Sequence, residues 1–191
     1  MVTPEQVLEF WLDKVGPDGW YRVDDALDRE ITEIFKDTWQ AAATGALSLW
    51  LTYPSGTLAY IILTDQFPRN MFRGTGAAFK TDEIARAAAK AAIAKGWDQR
   101  LDEPARQFFY LPLMHSECLA DQERSVRLIL TRMPEYGATN LLHAKAHREV
   151  IRRFGRFPYR NDALARPTNV IEAQYLDQGG YGATVRAVQG A

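Results

Sequence analysis

The segment SGTLAYIILTDQF, residues 55–67, decides the fold class of this chain. Its apolar side chains run without a polar break from Leu58 to Leu63, so a helix here would be buried on most sides, although periodicity alone also allows a buried strand. We favour a helix because no partner strand can be identified elsewhere in the sequence. The segment therefore predicts an all-α fold without a sheet, and Pro68 is expected to end or kink this helix.

Helix start and stop signals recur on both sides of this segment. Thr3-Pro4-Glu5-Gln6 is a capping box with proline at the first helical position, and Thr81 precedes an alanine-rich helix. Glycines such as Gly45 and Gly155 fit as C-terminal stops. These signals predict about seven to ten helices in a single domain over residues 1–191, with a glycine-rich, loose tail over about 178–191.

Composition excludes several classes of protein. The formal net charge of −1 gives no field that would favour nucleic acid or an anionic membrane, and no apolar run reaches the roughly 20 residues of a membrane span. One cysteine, Cys118, excludes an internal disulfide and a multi-thiolate metal site. The N-terminal residues lack a basic region and do not resemble a signal peptide. A cytoplasmic protein that binds neither nucleic acid nor membrane is therefore expected.

Asp65 is the first candidate for chemistry, because it follows Leu58 and Ile61 at helical spacing and should be buried. A buried carboxylate needs a partner, since leaving it unpaired is energetically expensive. Arg69 and Arg73 are near in sequence, beside Asn70. A purely structural Asp–Arg pair is the favoured interpretation, and a ligand site is the alternative.

A second polar segment contains His115 and Glu117. On a regular helix Glu117 and Asp121 would share a face, where two carboxylates can bind a cation or separate their pKa values. An exposed, solvated pair near a helix start is an equal alternative. Gln122 is expected to be a core amide because it lies on the apolar stripe of this helix.

A third segment combines histidines with arginines. His143 and His147 are four residues apart, a spacing that can bind a metal ion, but Ala144 stands where the HExxH motif has its glutamate. Core histidines are therefore favoured, and neither a metal nor another cofactor is predicted. Three arginines flank aromatic residues at the helix end, where they could bind a carboxylate or phosphate, or neutralise Asp65. They are Arg153, Arg156 and Arg160.

Three motifs in these segments resemble a bacterial family known only as domain of unknown function 924. They are ILTDQFPRN (62–70), YLPLMHSE (110–117) and RFGRFPYRN (153–161), and the similarity covers nearly the whole chain. The resemblance implies a TPR-like stack of antiparallel helix pairs and brings no activity, cofactor or catalytic residue. Tyr159 stands where the motif commonly has histidine, and Thr64 where leucine is common.

Three functional hypotheses follow. The preferred one is a helical binding module with a polar pocket for a small anionic ligand or a peptide carboxylate. The residues expected to line this pocket are Asp65, Arg69, Asn70, Arg73, His115, Glu117, Asp121, His147, Arg153, Arg156, Arg160 and Asn161.

The second hypothesis is a hydrolase- or lyase-type enzyme with a carboxylate–histidine pair, its catalytic candidates being His115, Glu117 and His147. The third is that the polar segments form a structural network and that function lies in protein–protein contacts. Ligand identity and homo-oligomer formation are left open by the sequence.

Overall fold

The computed structural model describes residues 1–190, and the fold is helical throughout. No strand occurs in this range, so the prediction of an all-α fold is confirmed. Counted together with their π-helical turns, the described residues form nine helices, within the predicted range. In chain order they are α1 (4–19), α2 (Asp25–Ala43), α3 (54–71), α4 (Asp82–Ala94), α5 (Leu111–Met114), α6 (Leu119–Arg132), α7 (Ala138–Phe154), α8 (Val170–Asp177) and α9 (Gly180–Gln189).

The chain consists of two compact units, Met1–Pro112 and the residues from Leu113 onward. Short 3₁₀ turns connect the helices within each unit. These turns are Ser48–Thr52, Gly76–Phe79, Asp98–Arg100 and Ala105–Phe109 in the N-terminal unit and Pro158–Arg160 in the C-terminal unit. Across residues 1–190 no helix is both long and apolar enough to cross a membrane.

Aromatic rings from the first three helices form the core of the N-terminal unit. The Phe67 ring of α3 lies 4.5 Å from that of Phe35 and 5.3 Å from that of Trp11, centroid to centroid. All three side chains are fully or almost fully buried. Such edge-on and tilted contacts add to the gain from burying large apolar area. As the continuous apolar run predicts, residues 57–68 are buried on every side.

Helix α3 continues through Pro68 instead of ending there. Residues Ile62–Gln66 form a π-helical turn, after which α-helix resumes at Phe67 and runs to Met71. A proline cannot donate the backbone hydrogen bond that a regular helix requires, and a widened turn before it accommodates that loss. The turn places Asp65 and Gln66 inside the unit, where both are buried.

The C-terminal unit is built on the helical hairpin of α6 and α7. Gly155 ends α7 in the left-handed conformation with a φ of 70°, as the sequence predicts. Beyond it, Phe157 and Tyr175 join Val150 and Ile151 of α7 in one buried cluster. This cluster fixes the loop of residues 155–168 against α7.

The end of the chain differs from the prediction of a loose tail. Residues Gly180–Gln189 form helix α9, which packs against α7. Gly179 and Gly180, with φ values of 97° and 49°, make the turn that separates α9 from α8. The glycines thus serve as a helix connection, and the Tyr181 side chain joins the buried cluster of α7.

Candidate functional site

Asp65 has the arginine partner that its predicted burial requires. The carboxylate is fully buried, accepts a hydrogen bond of 2.5 Å from Gln66 Nε2, and lies 3.4 Å from the Arg69 guanidinium. Arg69 also binds both oxygens of Asp82 on α4, at 2.9 and 3.0 Å. The guanidinium therefore joins α3 to α4 between two carboxylates.

Asn70 and Arg73 bind a different acid. Both donate to the carboxylate of Asp28 on α2, Asn70 Nδ2 at 2.8 Å and the Arg73 guanidinium at 2.8 and 2.9 Å. The hydrogen bonds from Arg73 to Asp28 raise the pKa of the guanidinium further. The predicted ligand-site residues of α3 thus belong to two separate ion-pair groups.

Glu117 does not pair with Asp121 as helical spacing suggests, because α6 begins only at Leu119. Its two oxygens accept hydrogen bonds of 2.7 and 2.9 Å from Arg166, and Oε1 also accepts the Phe157 N–H at 2.8 Å. Burial raises the pKa of Glu117, but these donors lower it by more, and its pKa lies below the ordinary value. Glu117 is therefore an ionised anchor for the loop that contains Phe157.

Asp121 is buried rather than solvated. Its carboxylate accepts a hydrogen bond of 2.9 Å from Ser116 Oγ, which fixes the turn before α6. Gln122 is a fully buried amide, as predicted, and its Nε2 donates to the carbonyls of Met114 and Ser116 at 2.6 and 2.7 Å. The polar side chains at the start of α6 thus close the preceding turn.

Arg156 and Asn161 converge on Glu172 of α8, which is only 1 % exposed. Arg156 binds both carboxylate oxygens at 2.6 and 2.7 Å, Asn161 Nδ2 lies at 3.3 Å, and the Asn169 N–H donates at 2.9 Å. The Arg156 hydrogen bonds, followed by that of Asn169, lower the pKa of Glu172 to about 2. Arg156 is therefore neutralised within the chain.

Arg153 and Arg160 stack on aromatic rings. The Arg153 guanidinium is exposed and lies 4.9 Å from the Phe154 ring centre and 5.6 Å from that of Tyr175. Arg160 is buried, lies 4.4 Å from the Phe157 ring centre and donates to the His115 carbonyl at 3.1 Å. The three arginines of the third motif thus have three different environments.

All three histidines of the chain lie in one cluster of the C-terminal unit. The ring of His147 lies 6.4 Å from that of His115, and Tyr181 Oη contacts His143 Nδ1 at 2.7 Å and His147 Nδ1 at 2.9 Å. Burial lowers the pKa of His147 to about 3, so this imidazole is neutral. Within residues 1–190 no group of three or more metal-ligating side chains is found.

Five partner residues were not predicted from the sequence: Asp28, Asp82, Arg166, Glu172 and Tyr181. Most lie far in sequence from the residues that they bind, with Arg166 49 positions from Glu117. Only Glu172 carried a local signal, because Asn169-Val-Ile-Glu172 is a capping box at the start of α8. Tyr181 fell within the expected loose tail.

A groove of about 340 Å³ lies between α3 and α4 and was not predicted. Its walls are apolar and include Tyr60, Ile84 and the small side chain of Ala88, while Lys95 and Trp97 line one end. The Lys95 ammonium lies 4.2 Å from the Trp97 ring centre. Among the described residues no carboxylate forms an ion pair with Lys95. The groove thus combines apolar walls with one cation that has no anionic partner.

Apolar side chains continue from the groove onto the surface. Leu51 lines the groove, and its neighbour Leu49 is 77 % exposed, while Tyr53 is 37 % exposed. Exposed apolar residues next to a concave apolar surface are typical of interaction sites.

Comparisons with known proteins agree with the family resemblance that the three sequence motifs indicate. The sequence model of a family described as bacterial protein of unknown function (DUF924) matches residues 7–180. A solved structure of a protein of unknown function from Agrobacterium tumefaciens has 42% sequence identity and a TM-score of 0.85 to this chain. The alignment covers 92% of this chain and 97% of that protein. No curated protein matches the sequence.

Proposed function

Because the chain belongs to the DUF924 family of bacterial proteins of unknown function, we propose its function from the geometry of its own residues. The protein is a helical binding module that holds an apolar peptide segment of another protein between α3 and α4. A carboxylate of that segment pairs with Lys95. The carrying observation is the apolar groove with an unpaired ammonium at one end.

The chemistry of the groove selects this occupant. Its volume of about 340 Å³ accommodates a few side chains, and its walls offer apolar contact with few hydrogen-bonding groups. A lysine beside an aromatic ring in such surroundings attracts an anion, since its charge is not neutralised within the described residues. An apolar peptide with a carboxylate matches both properties.

The ion pairs support a structural role for most of the polar residues in the three motifs. Three arginines each donate from two guanidinium nitrogens to the two oxygens of a carboxylate in the same unit. They are Arg69, Arg73 and Arg156. A guanidinium in such a pair would have to exchange that partner for a ligand. These contacts favour the third hypothesis, a structural network with function in protein contacts, over a pocket built from the arginines.

The enzyme hypothesis has no support from the contacts of Glu117 and His147. Both oxygens of Glu117 accept hydrogen bonds from Arg166 and the Phe157 backbone, and His147 Nδ1 contacts Tyr181 and the His143 carbonyl. The binding module therefore has more support from the geometry than general acid–base catalysis does.

Further properties belong to the same proposal. A TPR-like stack of helix pairs, as the family resemblance implies, would form grooves between neighbouring pairs. The cytoplasmic location inferred from composition would give the groove access to cytoplasmic protein segments. A single domain over residues 1–191 is part of the same proposal.

The test is selection from a display library of short random peptides with free carboxyl termini, followed by calorimetric titration of the selected peptides. We expect apolar peptides with at least one carboxylate. Ala91→Trp should fill the groove and weaken binding at least about tenfold, since Ala91 lines it and is exposed. Ala94→Trp is the matched control, because Ala94 is exposed on the same helix outside the groove.

Lys95→Gln should weaken peptide binding and remove most of the dependence of the affinity on salt concentration. Lys80→Gln, at an exposed lysine that does not line the groove, should change neither the affinity nor its salt dependence. A library that yields no binder, or binders indifferent to Ala91→Trp, would refute the proposal.

A further inference from the structure

Helix α9 is held to its unit by few side chains. Gly180 is its only buried residue, and the helix contains a second glycine, Gly182. Glycine lowers helix stability because it loses the most backbone freedom on folding. Two side chains make the polar attachments of α9: Tyr181, which contacts α7, and Thr184, whose Oγ1 lies 3.0 Å from Tyr175 Oη.

The Tyr181 hydroxyl is the centre of this attachment. It lies between His143 Nδ1 and His147 Nδ1, at 2.7 and 2.9 Å, and His147 Nδ1 also lies 2.8 Å from the His143 carbonyl oxygen. One arrangement of protons satisfies every contact. His147 Nδ1–H donates to the carbonyl and the Tyr181 oxygen, and Tyr181 O–H donates to an unprotonated His143 Nδ1.

His143 must be neutral for this arrangement to hold. A proton on His143 Nδ1 would leave the Tyr181 O–H without its acceptor, because two N–H groups would then face one hydroxyl oxygen. The Tyr181 ring also lies 4.7 Å from that of His147 and 5.7 Å from that of Tyr159. A charge on His147 would therefore lie between the rings of Tyr181 and Phe157.

The groups around His143 and His147 oppose protonation of the two imidazoles. His147 faces His115 and the Arg160 guanidinium, and Arg160 in turn faces Glu117. Tyr175 from α8 is the further titratable neighbour of Tyr181. Burial lowers the pKa of His143, and burial together with His115 and Arg160 lowers that of His147 to about 3.

We propose that α9 is an acid-released latch, in which the Tyr181 hydroxyl holds the helix only while His143 is neutral. Release of α9 uncovers the face of α7 that bears these histidines, together with Phe157 and Tyr159. Because the docked arrangement needs an unprotonated His143 Nδ1, docking is unaffected above about pH 6.5 and weakens as the pH falls below that value. Each pH unit shifts the opening equilibrium by up to about tenfold for the one proton that His143 takes up.

Hydrogen exchange of the full chain, corrected for intrinsic rates and followed by mass spectrometry at about pH 7.5 and about pH 5, tests the latch. We expect opening of residues 180–190 to increase at least about tenfold at the lower pH. The amides of α6 should keep their protection and serve as the internal control against global acid unfolding.

Two variants separate the latch from general fraying. Tyr181→Phe should open α9 at both pH values and abolish the pH dependence, since only the hydroxyl is lost. Thr184→Val should loosen α9 but leave its pH dependence intact, because Thr184 contacts Tyr175 and neither histidine. Equal protection of α9 at both pH values, or an unchanged pH dependence in Tyr181→Phe, would overturn the proposal.

Discussion

At the scale of single residues, several arginines of the molecule form ion pairs with carboxylates. Arg69 lies between Asp65 and Asp82, Arg73 binds Asp28, and Arg156 binds Glu172. Buried or half-buried pairs of this kind contribute modest net stability but specify geometry, because breaking one leaves a charge in a poor solvent. Their main effect here is to connect helix to helix, as between α3 and α4, and loop to helix, as at Glu172.

The Glu172 pair predicts a specific pH dependence of stability. The folded-state pKa of about 2 lies below the value of roughly 4.3 in unfolded chains. The ionised group therefore stabilises the fold above about pH 4.3, and this contribution is lost as the pH falls towards 2. Denaturant unfolding of Glu172→Gln should show lower stability than wild type at neutral pH, with a gap that narrows in acid.

Glu123→Gln is the control for this measurement. Glu123 is 42% exposed in its side chain and pairs with Arg148 and Arg152 at the surface, where ion pairs contribute little. Its effect should be small at both pH values. A gap for Glu172→Gln that stays constant from neutral pH to acid would contradict the assignment.

The sequence predicts the burial of some single residues and the local Asp65–Arg69 pair, but not the partners that lie far away in the chain. The burial of Asp65 and Gln122 followed from helical spacing alone. The acids Asp28 and Asp82 lie 45 and 13 positions from the arginines that they bind, and a single sequence contains no signal for such distances. The predicted pairing of Glu117 with Asp121 is wrong, because i, i+4 spacing brings two side chains together only if both residues lie on one helix.

At the scale of elements, the glycine at the end of α7 gives a direct prediction. Gly155 has a φ of 70°, and a Cβ there would meet no atom within 4 Å, so any effect of alanine is backbone strain. Gly155→Ala should lower the free energy of unfolding by about 1 kcal/mol. Gly182→Ala, inside α9 and with its nearest side-chain atom at 3.6 Å, should not lower it.

Urea unfolding of both variants, with equal m-values, makes the comparison. If the two substitutions lowered stability equally, the left-handed conformation of Gly155 would not be the cause.

The ends of helices could be predicted where the capping residues lie next to the helix in the sequence. The Thr3 capping box and the Gly155 stop are present in the structure as the sequence indicates. The prediction of a loose tail is wrong, because the pair Gly179-Gly180 is equally compatible with a disordered segment and with a tight turn. What decides between them is the packing of Tyr181 against α7, a tertiary contact that propensity does not contain.

At the scale of the whole molecule, the near balance of positive and negative charge predicts whether the protein binds polyanions such as DNA. With 23 basic and 24 acidic residues the formal net charge is −1, and many arginines are neutralised by neighbouring acids. Binding to DNA rests largely on cations that contact phosphates. Fluorescence anisotropy with a labelled duplex at low salt should therefore show no binding in the micromolar range. Salt-sensitive micromolar binding would contradict this expectation.

The π-helical turn of α3 has a consequence for how this chain can change in length. A π turn holds one residue more than the α turn that it replaces, so loss of one residue between 62 and 66 would restore regular helix. Because the turn itself holds the extra residue, the helix before and after it would keep its register. Arg69 would stay beside Asp82 and Arg73 beside Asp28, so loss of one residue within 62–66 is expected to be tolerated better than loss of one residue elsewhere in α3.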